Sequence, residues 1–374
     1  MKKILITGGA GFIGSHTASL LLENGYDLII LDSLINTSKL FLKKIRILFK
    51  KIDEKYEERL KFIECDIRDK NKLNTIFQES ANEGKPINSV IHFAGLKSVS
   101  ESVSNPLRYW DSNVIGSINL FKTMASYNCK TIVFSSSATV YGNSENEIFT
   151  ENSEIKPNNA YGETKFTIEK ILKTLYESDK NNWKVANLRY FNPIGAHKSG
   201  LIGEYPNGVP SNLFPFITQV AMGKRRFLRV YGNDWPTKDG TGVRDFIHIM
   251  DLAEGHLSAL KYLDSQDGIY TNLNLGTSKG TTVLELVRTF ETVTKCKIPY
   301  DFVDKRAGDV AISIADNKKA LDLLHWNPQR TIDDMCVDTP SQALIDDFGC
   351  VIANRAPIFS WSIDNSSLVF NNSV

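Results

Sequence analysis

The chain of 374 residues carries 44 Lys plus Arg against 43 Asp plus Glu, with 42% hydrophobic and 23% charged residues. A chain of this length buries a sizeable core in one large domain or two ordinary ones, and the composition is that of a soluble globular protein. The near-neutral balance excludes a global field favouring nucleic acid or an anionic membrane, so acidic small ligands have to be held by local groups.

The opening MKKILITGG sets two lysines before apolar residues, as an export signal does, but the apolar run stops at Thr7 and is too short for one. No stretch approaches the length of a membrane-spanning helix, and the expectation is a cytoplasmic protein. The cysteines at 65, 129, 296, 336 and 350 have no metal-ligand or redox spacing. They read as reduced, small apolar fillers, and no metal is expected.

In chain order, short apolar runs predict strands at 3–7, 27–31, 61–65, 89–93, 131–136 and 185–191, with helical patterns filling every gap. That alternation predicts a doubly wound α/β unit with a parallel (Rossmann) sheet. The first strand runs into ITGGAGFIGS, where Gly9, Gly11 and Gly14 fit a dinucleotide fingerprint with Gly8 beside them. Glycines there let the turn tighten and the backbone approach a pyrophosphate seated on the helix N-terminus. The second strand ends at Asp32, whose carboxylate would accept from adenosine ribose hydroxyls and repel a phosphate, which favours NAD over NADP.

FLKKIRILFKKIDEKYEERL, at 41–60, reads as a solvated crossover helix. After the third strand, Asp66 either meets an adenine amino group or caps the next helix. The fourth strand enters HFAGLKSV, where Ala94 and Gly95 let the chain pass close under a cofactor and Lys97 is either a phosphate contact or a surface lysine.

The fifth strand ends in FSSSATVYG, with the hydroxyls of Ser135 and Ser137 at the same sheet rim. Asn158 or Asn159 then caps a helix that carries Tyr161 and Lys165 on one face. A phenol with a pKa of about 10 needs nearby positive charge to act as a base at neutral pH, and Lys165 supplies it. YESDK repeats the spacing at Tyr176 and Lys180, but at the far end of the helix, and is read as accidental.

Beyond Phe191 the Gly/Pro/Asn-rich NPIGAHKSGLIGEYPNGVPSN predicts loops reaching over a ligand. GKRRFLR, from Gly223, either binds a phosphorylated small ligand or faces water. His248 and His256 flank a helix and read as core or capping residues. From Pro340 the chain has neither helical periodicity nor a place in the sheet. The expected division is 1–190 with a returning segment near 237–268, a smaller substrate domain over 191–339, and an unassigned tail over 340–374.

ITGGAGFIGSH, VIHFAGLKSV, FSSSATVYG, AYGETK, LRYFNPIGAH and DGTGVRDFIHIMDLAEGH together resemble the extended short-chain dehydrogenases/reductases, and among them the UDP-glucose 4-epimerases, over 1–339. The related sugar-nucleotide 4,6-dehydratases carry acids where this chain has Ala138 and Thr139. The resemblance implies an isomerase that interconverts UDP-glucose and UDP-galactose through a 4-keto intermediate, with Ser137, Tyr161 and Lys165 catalytic. It implies NAD held by Phe12, Ile13, the segment from Asp32 through Ser33 and Asn36 to Thr37, Asp66, Ile67, Phe93, Ala94, Gly95, Lys97, Asn113 and Phe191. The UDP-sugar would meet Lys97, Ser137, Asn192, Asn212, Leu213, Arg229, Tyr231, Arg244, Arg306, Asp309 and Ser313.

The family usually has Asp-Asn where this chain has Asp32 and Ser33, and its own ending does not align with residues from Pro340 on. Bulky tyrosine is the family's residue for plain hexoses at the position of Ser313, so serine implies either room for an N-acetyl group or a filler whose space is closed by a neighbour, Leu213 or the unaligned tail. A homodimer through the helix at 105–128 and the helix carrying Tyr161 is implied as well. The alternatives are a 4-epimerase for UDP-N-acetylglucosamine, UDP-glucuronate or UDP-pentoses, and a non-catalytic NAD-binding or RNA-associated relative; an intact Ser137, Tyr161 and Lys165 set speaks against the last.

Overall fold

The structure is a computed structural model that describes residues 2–50, 55–142, 146–204, 210, 212–306 and 308–339; the unaligned tail lies outside the described residues. Its central sheet has seven parallel strands: β1 (Lys3–Thr7), β2 (Asp27–Asp32), β3 (Leu60–Glu64), β4 (Ile87–His92), β5 (Thr131–Ser137), β7 (Lys184–Tyr190) and β11 (Ile269–Leu275). They lie in the order β3-β2-β1-β4-β5-β7-β11. Inner strands β1 and β2 are buried throughout, whereas edge strand β3 is half exposed, which is why KILIT and DLIILD are continuous apolar runs and LKFIE is not. The chain reverses between β1 and β4, and the crevice above their carboxyl ends is where such sheets bind ligands.

Helices cover both faces. On one side α1 (Phe12–Glu23), α2 (Leu40–Phe49) and α9 (Ile249–Asp264) bury Ala18, Leu21, Ile45, Leu252 and Leu260 against the sheet. On the other, α3 (Lys70–Asn82), α6 (Gly116–Ser126) and α7 (Ala160–Ser178) bury Leu73, Phe77, Leu120, Met124, Ile168 and Leu172. The helix expected over 41–60 is shorter: α2 buries Phe41, Ile45 and Phe49, and a 3-10 turn follows at Tyr56–Arg59. Its apolar stripe ends at Phe49, and Tyr56 of the following turn packs its ring 5.9 Å from that of Phe49. Between β4 and α6 the chain forms α4 (Val99–Ser104), α5 (Pro106–Tyr109) and a π turn at Trp110–Ile115.

A second layer sits over the carboxyl rim. It contains β6 (Ile148–Phe149), β8 (Asn192–Ile194), β10 (Val243–His248), β12 (Gly280–Thr282) and β14 (Ile312–Ala315), with β9 (Leu228–Tyr231) paired to β13 (Tyr300–Val303). Helices α8 (Leu213–Ala221) and α10 (Val283–Thr294) close a separate core around Phe214, Leu228 and Phe290. Asp245 ties this layer together by accepting from the backbone of Thr277, Ser278 and Ala315 at 2.8, 2.9 and 3.2 Å.

Cys65, Cys129 and Cys336 are buried free thiols, as apolar fillers should be. Cys296 departs from that expectation: it is disulfide-bonded. Spacing along the chain does not report which cysteines approach in space. No helix among the described residues is long and apolar enough to cross a membrane.

Candidate functional site

The loop after β1 passes close under the neighbouring strand end. Gly8 has φ +68, and a Cβ there would lie 2.6 Å from the Ala94 nitrogen, while one on Gly14 would lie 2.5 Å from the Gly8 carbonyl oxygen. Gly11 precedes α1 and no side chain caps that helix, so its first N–H groups face the crevice, where an anion is favoured. Asp32 ends β2, with Oδ2 accepting from the Ala10 N–H at 3.0 Å and Oδ1 from Leu34 at 2.9 Å. Burial raises its pKa and those two bonds oppose the rise. The free lone pairs suit a ribose diol. A cradle that admits only glycine, an uncapped helix start and a carboxylate at the next strand end together fit a dinucleotide without a 2′-phosphate.

These groups line one cleft of about 1850 Å³ between the sheet rim and the second layer, well above the roughly 300–1,000 Å³ of a pocket for a single drug-sized ligand. Every residue expected to touch cofactor or sugar nucleotide lines it except Asn113. Asn113 is buried beneath the β4 loop. Its Oδ1 accepts from Leu96 N at 2.8 Å, and its Nδ2 donates to Leu96 O and Thr164 Oγ1, both at 3.1 Å. It therefore fixes the loop holding Gly95 and Lys97 instead of facing the ligand. Asp66 does not cap α3, since Asp69 does so by accepting from Lys72 N. Asp66 pairs with Arg68, whose hydrogen bonds lower its pKa.

At the centre of the cleft, Asn159 is the N-cap of α7 and accepts from Gly162 N at 2.9 Å. This start sets Tyr161 beside the end of β5. Ser137 Oγ accepts from Thr139 N at 3.2 Å and Thr139 Oγ1 at 3.0 Å. Burial raises the Tyr161 pKa, and the hydrogen bond from Ser137 opposes the rise. Lys165 Nζ donates to the Ser135 carbonyl at 2.6 Å and lies 5.8 Å from the centre of the Tyr161 ring. Burial lowers its pKa to about 7, with Glu169 opposing. Tyr176 packs its ring 6.1 Å from that of Tyr270, away from the cleft.

The facing wall is cationic. The Arg306 guanidinium stacks 3.7 Å from the Tyr231 ring centre, and Arg244 Nη2 pairs with Asp309 Oδ1 at 3.2 Å. Burial lowers the Arg244 pKa and Asp309 opposes this. Ser313 is in register with Arg244 across β10 and β14. Such guanidiniums match phosphate oxygens in a fork. Arg225, Arg226 and Phe227 of GKRRFLR also line the cleft, Arg226 and Phe227 with exposed side chains.

Sequence reasoning missed Glu204. Its Oε1 accepts from Lys97 Nζ at 3.0 Å and from Asn212 Nδ2 at 2.9 Å, joining the two walls. A lone Glu in a Gly/Pro-rich loop gives no signal of two partners so distant along the chain. His248 is the N-cap of α9, accepting from Met250 N, and His256 is buried against Tyr190, the capping and core roles expected.

Residues 5–339 match the family described as GDP-mannose 4,6 dehydratase. The chain is 49% identical to the UDP-glucose 4-epimerase of Bacillus subtilis (strain 168) over 336 residues, 90% of this chain and 95% of that protein. It is 48% identical to UDP-glucose 4-epimerase 2 of Arabidopsis thaliana over 337 residues, 90% of this chain and 93% of that one. The UDP-glucose-4-epimerase of Stenotrophomonas maltophila, solved with bound NAD and formylated UDP-arabinopyranose, matches with a TM-score of 0.85 at 42% identity, covering 92% of this chain and 98% of that chain. With a glycine cradle, a Ser-Tyr-Lys centre and a cationic wall in one cleft, and relatives alike over nine tenths of its length, the chain belongs to this family and, within it, to the UDP-glucose 4-epimerases.

Proposed function

We propose that the protein inverts the C4 hydroxyl of a UDP-hexose with NAD as its cofactor, interconverting UDP-glucose and UDP-galactose, with Ser137, Tyr161 and Lys165 as the reacting centre. The observation that carries this reading is the convergence of Ser137, Tyr161 and Lys165 in one cleft, with Lys165 Nζ 5.8 Å from the centre of the Tyr161 ring. Ala138 and Thr139 follow Ser137, so the acid and base that a dehydratase needs to expel water are missing there.

Tyr161 takes the proton of the C4 hydroxyl, its phenolate stabilised by the Ser137 hydroxyl and by the charge on Lys165. When bound, NAD supplies reversible acceptance of the C4 hydrogen with its electron pair, which leaves the sugar as a 4-keto compound. Arg244 and Arg306 hold the diphosphate while the hexose turns about that linkage. Tyr161 then returns the proton to the oxygen on the opposite configuration. Asp32 and the Gly8–Gly14 loop hold the adenosine half, and Asn113 acts indirectly by fixing the β4 loop. The test is to purify the protein, release and quantify bound NAD by absorbance, and follow UDP-galactose conversion; absence of both would end the reading.

A second substrate class is supported by Ser313, whose small side chain lines the cleft beside Arg244. An N-acetyl group at C2 fits there without displacing plain hexoses, since an unfilled pocket costs contacts and creates no overlap. The protein also works as a homodimer in this reading. Val99, Val103, Leu107 and Ile115, on α4, α5 and the π turn, are 42%, 67%, 80% and 50% exposed, an apolar strip that a second copy would cover. Sedimentation at micromolar concentration yielding only monomer would reject this part.

A further inference from the structure

Below the Ser-Tyr-Lys centre lies a second charged pair that the proposed chemistry does not use. Glu169, Arg189 and Lys165 are 1%, 2% and 5% exposed. Glu169 Oε1 accepts from Arg189 Nε at 3.0 Å and Oε2 from Arg189 Nη2 at 2.7 Å, a two-pronged pair, and Oε1 also accepts from Ser136 Oγ at 2.5 Å. Arg189 Nη1 donates to the Tyr141 hydroxyl at 3.0 Å and the Glu151 carbonyl at 3.3 Å, and Tyr141 donates to Asn274 Oδ1 at 2.7 Å. Glu169 stands four residues after Lys165 on α7, and so on the same helix face.

We propose that Glu169, anchored by Arg189, is a positioning residue that keeps the Lys165 ammonium charged beneath Tyr161. The inference rests on Tyr161 being the base. Among the described residues no carboxylate pairs directly with Lys165, which donates to the neutral Ser135 carbonyl. A buried ammonium with only a neutral partner sheds its proton readily; Glu169, one turn along α7, raises the Lys165 pKa against burial. A buried ion pair is no better for stability than a well-packed apolar one, so stability alone does not require charge at 169 and 189. Linked two-pronged to Arg189 and fixed by Ser136, the carboxylate cannot swing onto Lys165 and neutralise it, yet it stays one turn away.

Burial pushes the histidine and tyrosines around the trio away from neutrality. His92 on β4 is held to about 3 by burial, and the Tyr141 hydroxyl is raised to about 12. Tyr190 on β7 and Tyr270 on β11 are also raised by burial, and Tyr270 donates to the Glu169 carbonyl at 3.2 Å. On the far side of Arg189, burial lowers the Lys319 pKa and the Glu151 charge opposes this. As pH rises through the Lys165 pKa, the cation is lost and Tyr161 becomes harder to ionise, so the alkaline limb of kcat reports Lys165.

The test compares pH profiles of kcat in the NAD-loaded wild type, Glu169→Gln and the double variant Glu169→Gln with Arg189→Met. Glu169→Gln preserves shape but leaves the Arg189 charge facing Lys165. Its alkaline limb is expected to move to lower pH by about one unit or more, with NAD content unchanged. The double variant, which removes both charges of the Glu169–Arg189 pair, is expected to shift in the same direction by less. A folded Glu169→Gln protein with the wild-type limb would overturn the proposal; if the single variant does not fold, a wild-type limb in the double variant does so. Retained turnover in Tyr161→Phe would instead strike the reading beneath it, so the two failures are told apart.

Discussion

Lys165 reaches across from α7 to donate to the Ser135 carbonyl at 2.6 Å, which fixes its ammonium under the strand end that also carries Ser137. The helix is thereby locked to the rim of the sheet at the point where Tyr161 meets the cleft. Tyr161→Phe preserves the packing and removes only the proton acceptor. It is expected to lower kcat by roughly 10²–10⁴ with bound NAD retained, and Ser137→Ala by less. Tyr176→Phe, at the Tyr270 contact, should leave turnover near wild type; a reversed order of damage in steady-state assays contradicts the assignment.

Gly14→Ala tests the cradle. The new Cβ would stand 2.5 Å from the Gly8 carbonyl oxygen and 2.7 Å from the Gly9 Cα, both backbone atoms that cannot rotate away. The expected cost is about 1–3 kcal/mol of stability, together with loss of co-purifying NAD. Urea unfolding and NAD release after denaturation measure the two effects; an unchanged NAD content would separate the loop from cofactor binding.

Acid should destabilise the fold early. His16 and His92 are held to about 3, and His197 and His256 to about 4, chiefly by burial. Between the unfolded value of about 6.5 and those folded values the unfolded chain binds more protons, so stability rises with pH and falls as pH drops through this window. Each histidine contributes a slope of up to about 1.4 kcal/mol per pH unit. Urea midpoints should fall steeply from pH 6.5 to 5 and be flat, as far as these groups are concerned, above pH 7.5. A flat profile across the acid window would show that the histidines are solvated.

Ser313→Tyr should remove activity on UDP-N-acetylglucosamine while sparing UDP-glucose, because the ring would fill the space beside Arg244 that the C2 substituent requires. Paired assays of both sugars before and after substitution decide it. No N-acetyl activity in the native protein contradicts the pocket argument.

The parallel sheet was legible because buried strands of such a sheet are continuous apolar runs, and β1, β2, β4, β5 and β7 each match one within two residues at either end. The placement of the glycine loop, Asp32 and Tyr161 was legible because it depends on local geometry at strand ends and helix starts. What was hidden depends on contacts far apart in the chain. Glu204 meets Lys97 across 107 positions, and Arg189 meets Glu169 from another element. Asn113 was placed at the cofactor, yet its polar atoms are taken up by Leu96 and Thr164; nothing in the local sequence says which face of a helix an asparagine will serve. The second layer, built from strands as short as Ile148–Phe149, has too little periodicity to be read in advance.

The central claim is that the C4 hydrogen leaves and returns at one site. Its most direct measurement is conversion of UDP-galactose to UDP-glucose in D₂O by the protein as purified, followed by mass analysis of the product. The predicted result is epimerised sugar with no deuterium on C4, because that hydrogen moves with its electron pair and never mixes with solvent. Deuterium at C4 would mean inversion by proton abstraction and return, and would contradict the account.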